Sequence, residues 1–236
     1  MNKADIYMGQ SYYKLFNFLF TDDKYKDLSY GAKLLFALLV DREEQTRDRE
    51  TKHFTYKRKD MEKDLLCSKG YMEKSLHELK VAQLVNDVRV NHKTQDFDSN
   101  EITIIYDGIS EEPYMPIPKR LFTDDKYKSL SRLSIVMYAL FRYEYVNNLK
   151  FPNSEFIDED NNTFCSVYLE TLKRQLNISF PTLHTAKAKL VNTNLIYQVK
   201  GATLREPLRT YVYDPDWYCF RTLRDVCRAF YVVVKQ

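Results

Sequence analysis

Glycine and proline are scarce, with 5 and 7 in 236 residues. So little glycine leaves no GxxxxGK[ST] loop to cradle a phosphate, and neither a GxSxG nor an HExxH motif occurs. The 4 cysteines, Cys67, Cys165, Cys219 and Cys227, are scattered and form no CxxC pair. That excludes a zinc ribbon and a disulfide framework, and implies reduced thiols. His53, His77, His92 and His184 fall in separate predicted elements. Catalysis therefore has no foothold, and we expect a non-enzyme with no cofactor and no bound metal. Long apolar runs are missing too, and Met1–Gln10 holds no apolar signal core. The expectation is a cytoplasmic protein without a membrane partner. Charge of one sign is not in excess: the net charge is +3. Any nucleic-acid surface must come from local clustering.

What the chain does have is aromatic side chains, 19 Tyr and 14 Phe, and a repeat. Leu19–Ser29 reads LFTDDKYKDLS and Leu121–Ser131 reads LFTDDKYKSLS, differing only at Asp27 and Ser129. A spacing near 100 residues is too long for a solenoid unit and right for a small domain. We read two tandem domains, 1–108 and 109–215, followed by a helical tail at 216–236. Phe20, Tyr25 and Leu28, with Phe122, Tyr127 and Leu130, are expected in the cores, and the Asp pairs Asp22–Asp23 and Asp124–Asp125 at a turn.

Each copy follows one order of elements. Ser29 is placed to cap a helix of about 13 residues, and apolar Ala32, Leu35, Phe36 and Leu39 recur at helical spacing. Arg42–His53 is so polar that a solvated loop is expected. A short strand at Phe54–Tyr56, a helix at 59–66, a turn, a helix at 69–80, and strands at 84–90 and 101–106 follow. The second copy repeats this with helices at 132–146, 168–176 and about 180–191, and strands at 163–166, 195–199 and 208–213. Shifted by 111 residues, Leu65, Ser68, Met72, Leu79 and Leu84 meet Leu176, Ser179, Leu183, Leu190 and Leu195. The apolar positions persist and the outward ones change. This is the order of a winged helix-turn-helix, whose second helix enters the DNA major groove. The fold class is α+β, mainly α, with two such domains.

The second copy carries the stronger DNA-facing pattern. Lys173, Arg174, Lys187, Lys189, Lys200, Arg205 and Arg209 lie between 173 and 209 against one acid, Glu206. Thr182, His184 and Thr185 project near the start of its recognition helix, Lys187 and Lys189 suit phosphates, and Arg205 marks the wing tip. In the first copy Lys57, Arg58 and Lys59 precede the short helix, and Lys69, Tyr71 and Lys74 are the outward candidates. Glu73 and Glu78 interrupt them. A merely solvated basic face is the plainer alternative. The acidic Asp158-Glu159-Asp160 reads as a solvated loop.

An aromatic lead-in, LF…YKxLS, a helix of type KLLFALLVDR, an acidic FIDEDNNTF loop and a helix-turn-helix ending in a Leu-Ile strand together resemble the N-terminal domain of RepA_N plasmid replication initiators. Tyr12–Arg42 carries the likeness in the first copy, and Tyr114–Ser131, Phe156–Phe164 and Leu176–Ile196 in the second. The first copy lacks the FIDED loop. The resemblance implies winged-helix binding of repeated duplex DNA sites at an origin and recruitment of host replication proteins, by a monomeric pseudo-dimer or a homodimer. A transcriptional repressor of a mobile element, and a protein-binding adaptor or inhibitor of a host complex, are the alternatives.

Overall fold

The computed structural model describes residues 11–46, 53–89, 99–106, 108–200 and 208–215. The expected C-terminal helix and both wing tips lie outside these residues.

The first copy opens with strand β1 (Tyr12–Phe16) and a helical turn, α1 (Phe18–Thr21). The repeated box then turns on an Asp side chain: Asp22 accepts from the Lys24 amide at 2.8 Å, and Asp124 from that of Lys126 at 3.0 Å. Both are Asx-type turns, the local reason for the two Asp pairs. Helix α2 (Tyr30–Thr46) follows, and every residue from Gly31 to Val40 is buried. A helix apolar on all sides belongs in the middle of a core. It also runs further than expected, taking in Arg42 to Thr46 of the stretch read as a loop. Gln45 donates to Asp41 at 2.6 Å and Lys14 meets Glu44 at 2.6 Å. Polar residues with such partners are compatible with a helix leaving the core, so charge alone did not mark its end.

Helix α3 (Arg58–Asp64) and helix α4 (Lys69–Val81) form the helix-turn-helix, with strands β2 (Phe54–Lys57), β3 (Val85–Arg89) and β4 (Ser99–Ile104) in the order β2-β4-β3. The second copy has strand β5 (Tyr114–Pro118), helices α5 (Arg120–Thr123), α6 (Arg132–Lys150), α7 (Leu169–Leu176) and α8 (Phe180–Asn192), and strands β6 (Cys165–Ser166), β7 (Ile196–Val199) and β8 (Arg209–Val212) in the order β6-β8-β7. Left-handed backbone recurs at equivalent places. Leu66 and Asn177 (φ 51° and 48°) end the first helix of each pair, and Gln83 and Asn194 (φ 58° and 55°) end the second. Different side chains thus adopt the same helix-terminating conformation. Both copies are winged helices of one α+β plan.

The lead-in strands pair with each other. β1 and β5 are antiparallel, with Tyr12 opposite Pro118, Lys14 opposite Pro116 and Phe16 opposite Tyr114. Lys14 and Pro116 are the same position of the two copies, so a local pseudo-dyad passes between them. Around it the buried side chains of both copies form one continuous core.

One buried cation belongs to this core. Lys33 is 3% exposed, donates to the Lys26 carbonyl at 2.7 Å and lies 4.4 Å from the Phe20 ring centre. Burial pulls its pKa down to about 8, against the opposing pull of Asp27. The folded pKa is below the unfolded one, so from about pH 8 upward the unfolded chain holds more protons and this site gains stability as pH rises. Lys33→Met is expected to stabilise the protein at pH 7 by roughly 1–3 kcal/mol. Denaturation of both proteins at pH 7 and pH 9 should show the gap narrowing at pH 9.

Candidate nucleic-acid interface

The recognition helix of the second copy, α8, starts on a side-chain cap. Ser179 Oγ accepts from the Thr182 amide at 3.4 Å, and Pro181 occupies the first turn, where no intrahelical N–H partner is needed. Leu183, Ala186 and Leu190 are buried and fix the helix to the core. The opposite stripe, with Pro181, Thr182, His184, Thr185 and Ala188, is exposed. Thr185 donates to the Pro181 carbonyl at 2.9 Å, which orients its hydroxyl oxygen as an acceptor. Lys187 and Lys189 are half-buried on the flanks, and burial lowers the Lys187 pKa. Lys173 pairs with Glu170 at 3.2 Å and sits 4.6 Å from the Phe180 ring centre. Arg174 and Lys200 are exposed at the ends of α7 and β7. Arg205 lies outside the described residues.

Two of the first copy's cations share one carboxylate. Arg58 pairs with Asp87 at 2.7 Å, and Lys80 approaches the same carboxylate at 3.5 Å. Asp87 is only 6% exposed and also accepts from Asn100 at 2.8 Å. Arg58 is therefore a clasp on the wing base, with its side chain still 23% exposed. Lys57, Lys59, Lys69 and Lys74 remain exposed, with Lys69 3.9 Å from Glu73.

Tyr71 is 38% exposed and also has neighbours on the side of the other copy. It packs against Gly31, where an added Cβ would stand 2.4 Å from Tyr71 Cε1, and the Arg132 guanidinium lies 5.3 Å from its ring centre. One edge of the exposed Tyr71 ring therefore lies along the seam between the copies, and Gly31 is the residue that leaves it room.

That seam holds the two helix-turn-helix units together, and sequence reasoning missed it. Tyr30, the first residue of α2, donates to the Leu176 carbonyl at 2.5 Å. Arg132, the first residue of α6, donates to the Leu65 carbonyl at 3.1 Å and to that of Leu66. Tyr30 and Arg132 are equivalent positions, and so are Leu176 and Leu65. Each copy thus grips the end of the other's first recognition-pair helix, satisfying carbonyls a helix end leaves open. Lys119 adds a cross-copy ion pair with Asp41 at 2.6 Å. Its counterparts, Asn17 and Tyr143, instead line a cavity of about 350 Å³, and Asn17 Oδ1 is buried without a partner. The only sequence signal for the clamp was position: Tyr30 and Arg132 follow the repeated box directly.

The acidic loop of the second copy also has a structural task. Burial alone would raise the Asp158 pKa, but bonds from the Asn162 amide at 2.7 Å and the Tyr211 hydroxyl at 2.8 Å bring it below the usual carboxylate range. Glu159 pairs with Arg209 at 3.0 Å. Tyr211 and Arg209 are on β8, so the loop fastens the base of the wing.

Among solved structures, the chain is similar to a Rep-DNA complex at 28% identity, covering 51% of this chain and 87% of that one with a TM-score of 0.39. It is similar to the N-terminal domain of a DNA-binding protein at 29% identity, covering 51% and 86%, also with a TM-score of 0.39. An MDR initiator structure matches at 23% identity, covering 52% and 92%, with a TM-score of 0.37. No curated protein matches the chain. The sequence pattern of the replication initiator protein A (RepA) N-terminus matches twice, at residues 11–107 and 113–219. Those two matches take in both repeated boxes, both helix-turn-helix units and both wings, and by them the chain belongs to the RepA N-terminal family of replication initiators, with the family's domain present in duplicate.

Proposed function

We propose that this protein is a DNA-binding replication initiator that holds duplex DNA as a pseudo-dimer within one chain, acting by binding and not by catalysis. The seam carries this reading. Reciprocal clamps from Tyr30 and Arg132 join two helix-turn-helix units about a pseudo-dyad. A dyad of this kind suits DNA half-sites one helical turn, or a multiple of it, apart. Both copies carry exposed positive charge, Lys57, Lys59, Lys69 and Lys74 in the first and Arg174 and Lys200 in the second, where Lys187 and Lys189 lie beside the outward stripe. Repeated sites at an origin and contacts with host replication proteins complete the proposal.

The test is a salt titration of binding to the DNA around the protein's own gene, combined with footprinting. Lys187→Gln/Lys189→Gln should lower the log–log salt slope by about 2 and weaken binding roughly 30-fold at 0.15 M salt. An unchanged slope would remove these lysines from the interface. Protection confined to a promoter, without an array of sites, would favour a repressor, and salt-insensitive or absent binding would favour a protein adaptor.

A further inference from the structure

The two reading stripes occupy equivalent positions yet differ in chemistry. Exposed on α4 are Tyr71, Lys80, Val81 and the five outward residues Lys69, Gly70, Glu73, Lys74 and His77. On α8 the same five places are Phe180, Pro181, His184, Thr185 and Ala188, again all exposed. Side chains near the start of a recognition helix meet base edges in the major groove. Carboxylates there accept from the cytosine N4 amino group, lysine donates to guanine O6 and N7, and alanine or threonine methyl groups contact the thymine methyl.

Resting on the proposed DNA-binding function, we infer that the two halves read unlike half-sites: a C·G-containing one under Glu73 and Lys74, and a thymine-containing one under Thr185 and Ala188. The division of labour follows from charge. Glu73 repels phosphate and contributes favourably only where a cytosine amino group meets it. Its ion pair with Lys69 is exposed and 3.9 Å long, so Glu73 is free to exchange partners. In the same copy Arg58 and Lys80 are drawn to Asp87. The first copy therefore supplies discrimination at its reading stripe, while its exposed Lys57 and Lys59 lie off that stripe, at the start of α3. The second copy, with its threonines, Ala188 and flanking lysines, supplies the anchor. A single chain can hold such an asymmetric pair of surfaces, because the two copies are covalently fixed in one order about the dyad. Two identical subunits would be confined to a symmetric site.

Selection of binding sites from random duplex DNA by the full chain tests this. We expect two non-identical half-sites, with a fixed C·G pair in one and a thymine step in the other. Glu73→Ala should abolish the preference at that C·G pair, a discrimination of roughly 5- to 100-fold in the parent. It should also raise affinity for sites altered there, because a carboxylate has left the groove. A structural defect in α4 would instead lower affinity for every sequence, and that result would overturn the inference. So would selection of a perfect palindrome. Both leave salt-sensitive DNA binding intact, whereas no DNA binding at all would overturn the proposed function as well.

Discussion

Asp214→Ala is expected to destabilise the protein by about 3–5 kcal/mol, the usual consequence of stripping one partner from a buried ion pair. Asp214 is 2% exposed and Arg142 1%. Asp214 Oδ2 accepts from Arg142 Nη2 at 2.9 Å and from Nε at 3.1 Å, while Nη1 donates to the Pro116 carbonyl at 3.3 Å. Removing the carboxylate leaves a guanidinium deep in the core without its charged partner. The loss should appear as a fall in Tm of about 6–20 °C for a cooperative unit of this size. Arg142→Leu/Asp214→Leu should recover much of it, because the desolvation cost leaves with the charges. The pair also joins two distant places: Asp214 follows the last wing strand, and Pro116 sits on the pseudo-dyad. Both copies should therefore melt in one transition. A separate, unshifted transition for the first copy would show that the core is not shared.

Phe16→Ala should cost a similar amount, about 3–5 kcal/mol. The ring is 1% exposed, 6.0 Å from Phe36 on α2, 5.9 Å from Phe18 and 6.2 Å from Tyr114 of the second copy. One deletion thus empties a site where strand, helix and the other copy meet, and close-packed neighbours refill it only in part. Tyr12→Phe is the contrast. It removes a part-buried hydroxyl pair at 3.0 Å and keeps the ring, so it should change stability by about 1 kcal/mol or less. Denaturant midpoints of the two variants separate the cases. A small effect of Phe16→Ala would mean that the β1–β5 seam contributes little to the fold.

Local pattern carried much of the architecture. Apolar spacing placed Met72, Leu76 and Leu79, and Leu183, Ala186 and Leu190, on the inner faces of α4 and α8, and all six are buried. Serine caps, Pro181 and the Asp pairs of the box marked helix starts and turns because those effects act within a few residues. The box residues Phe20, Tyr25, Phe122, Tyr127 and Leu130 are core, as their repetition implied. The end of α2 was less legible, since a charged stretch reads alike as a loop or as a helix emerging into water.

The sequence by itself determined that there are two copies of one winged-helix plan, where each recognition helix begins, and that the outward residues differ between copies. These follow from periodicity and repetition, which are properties of neighbours along the chain. Only the tertiary structure decided that the lead-in strands pair across a dyad, that Tyr30 and Arg132 clamp the opposite copy, that Arg58 is held by Asp87, and that Tyr71 lies against Gly31 and Arg132. An exposed position on a helix reads the same whether it meets solvent, DNA or a second domain. The distinction appears only when residues far apart in sequence, such as Gly31, Tyr71 and Arg132, are brought together by packing.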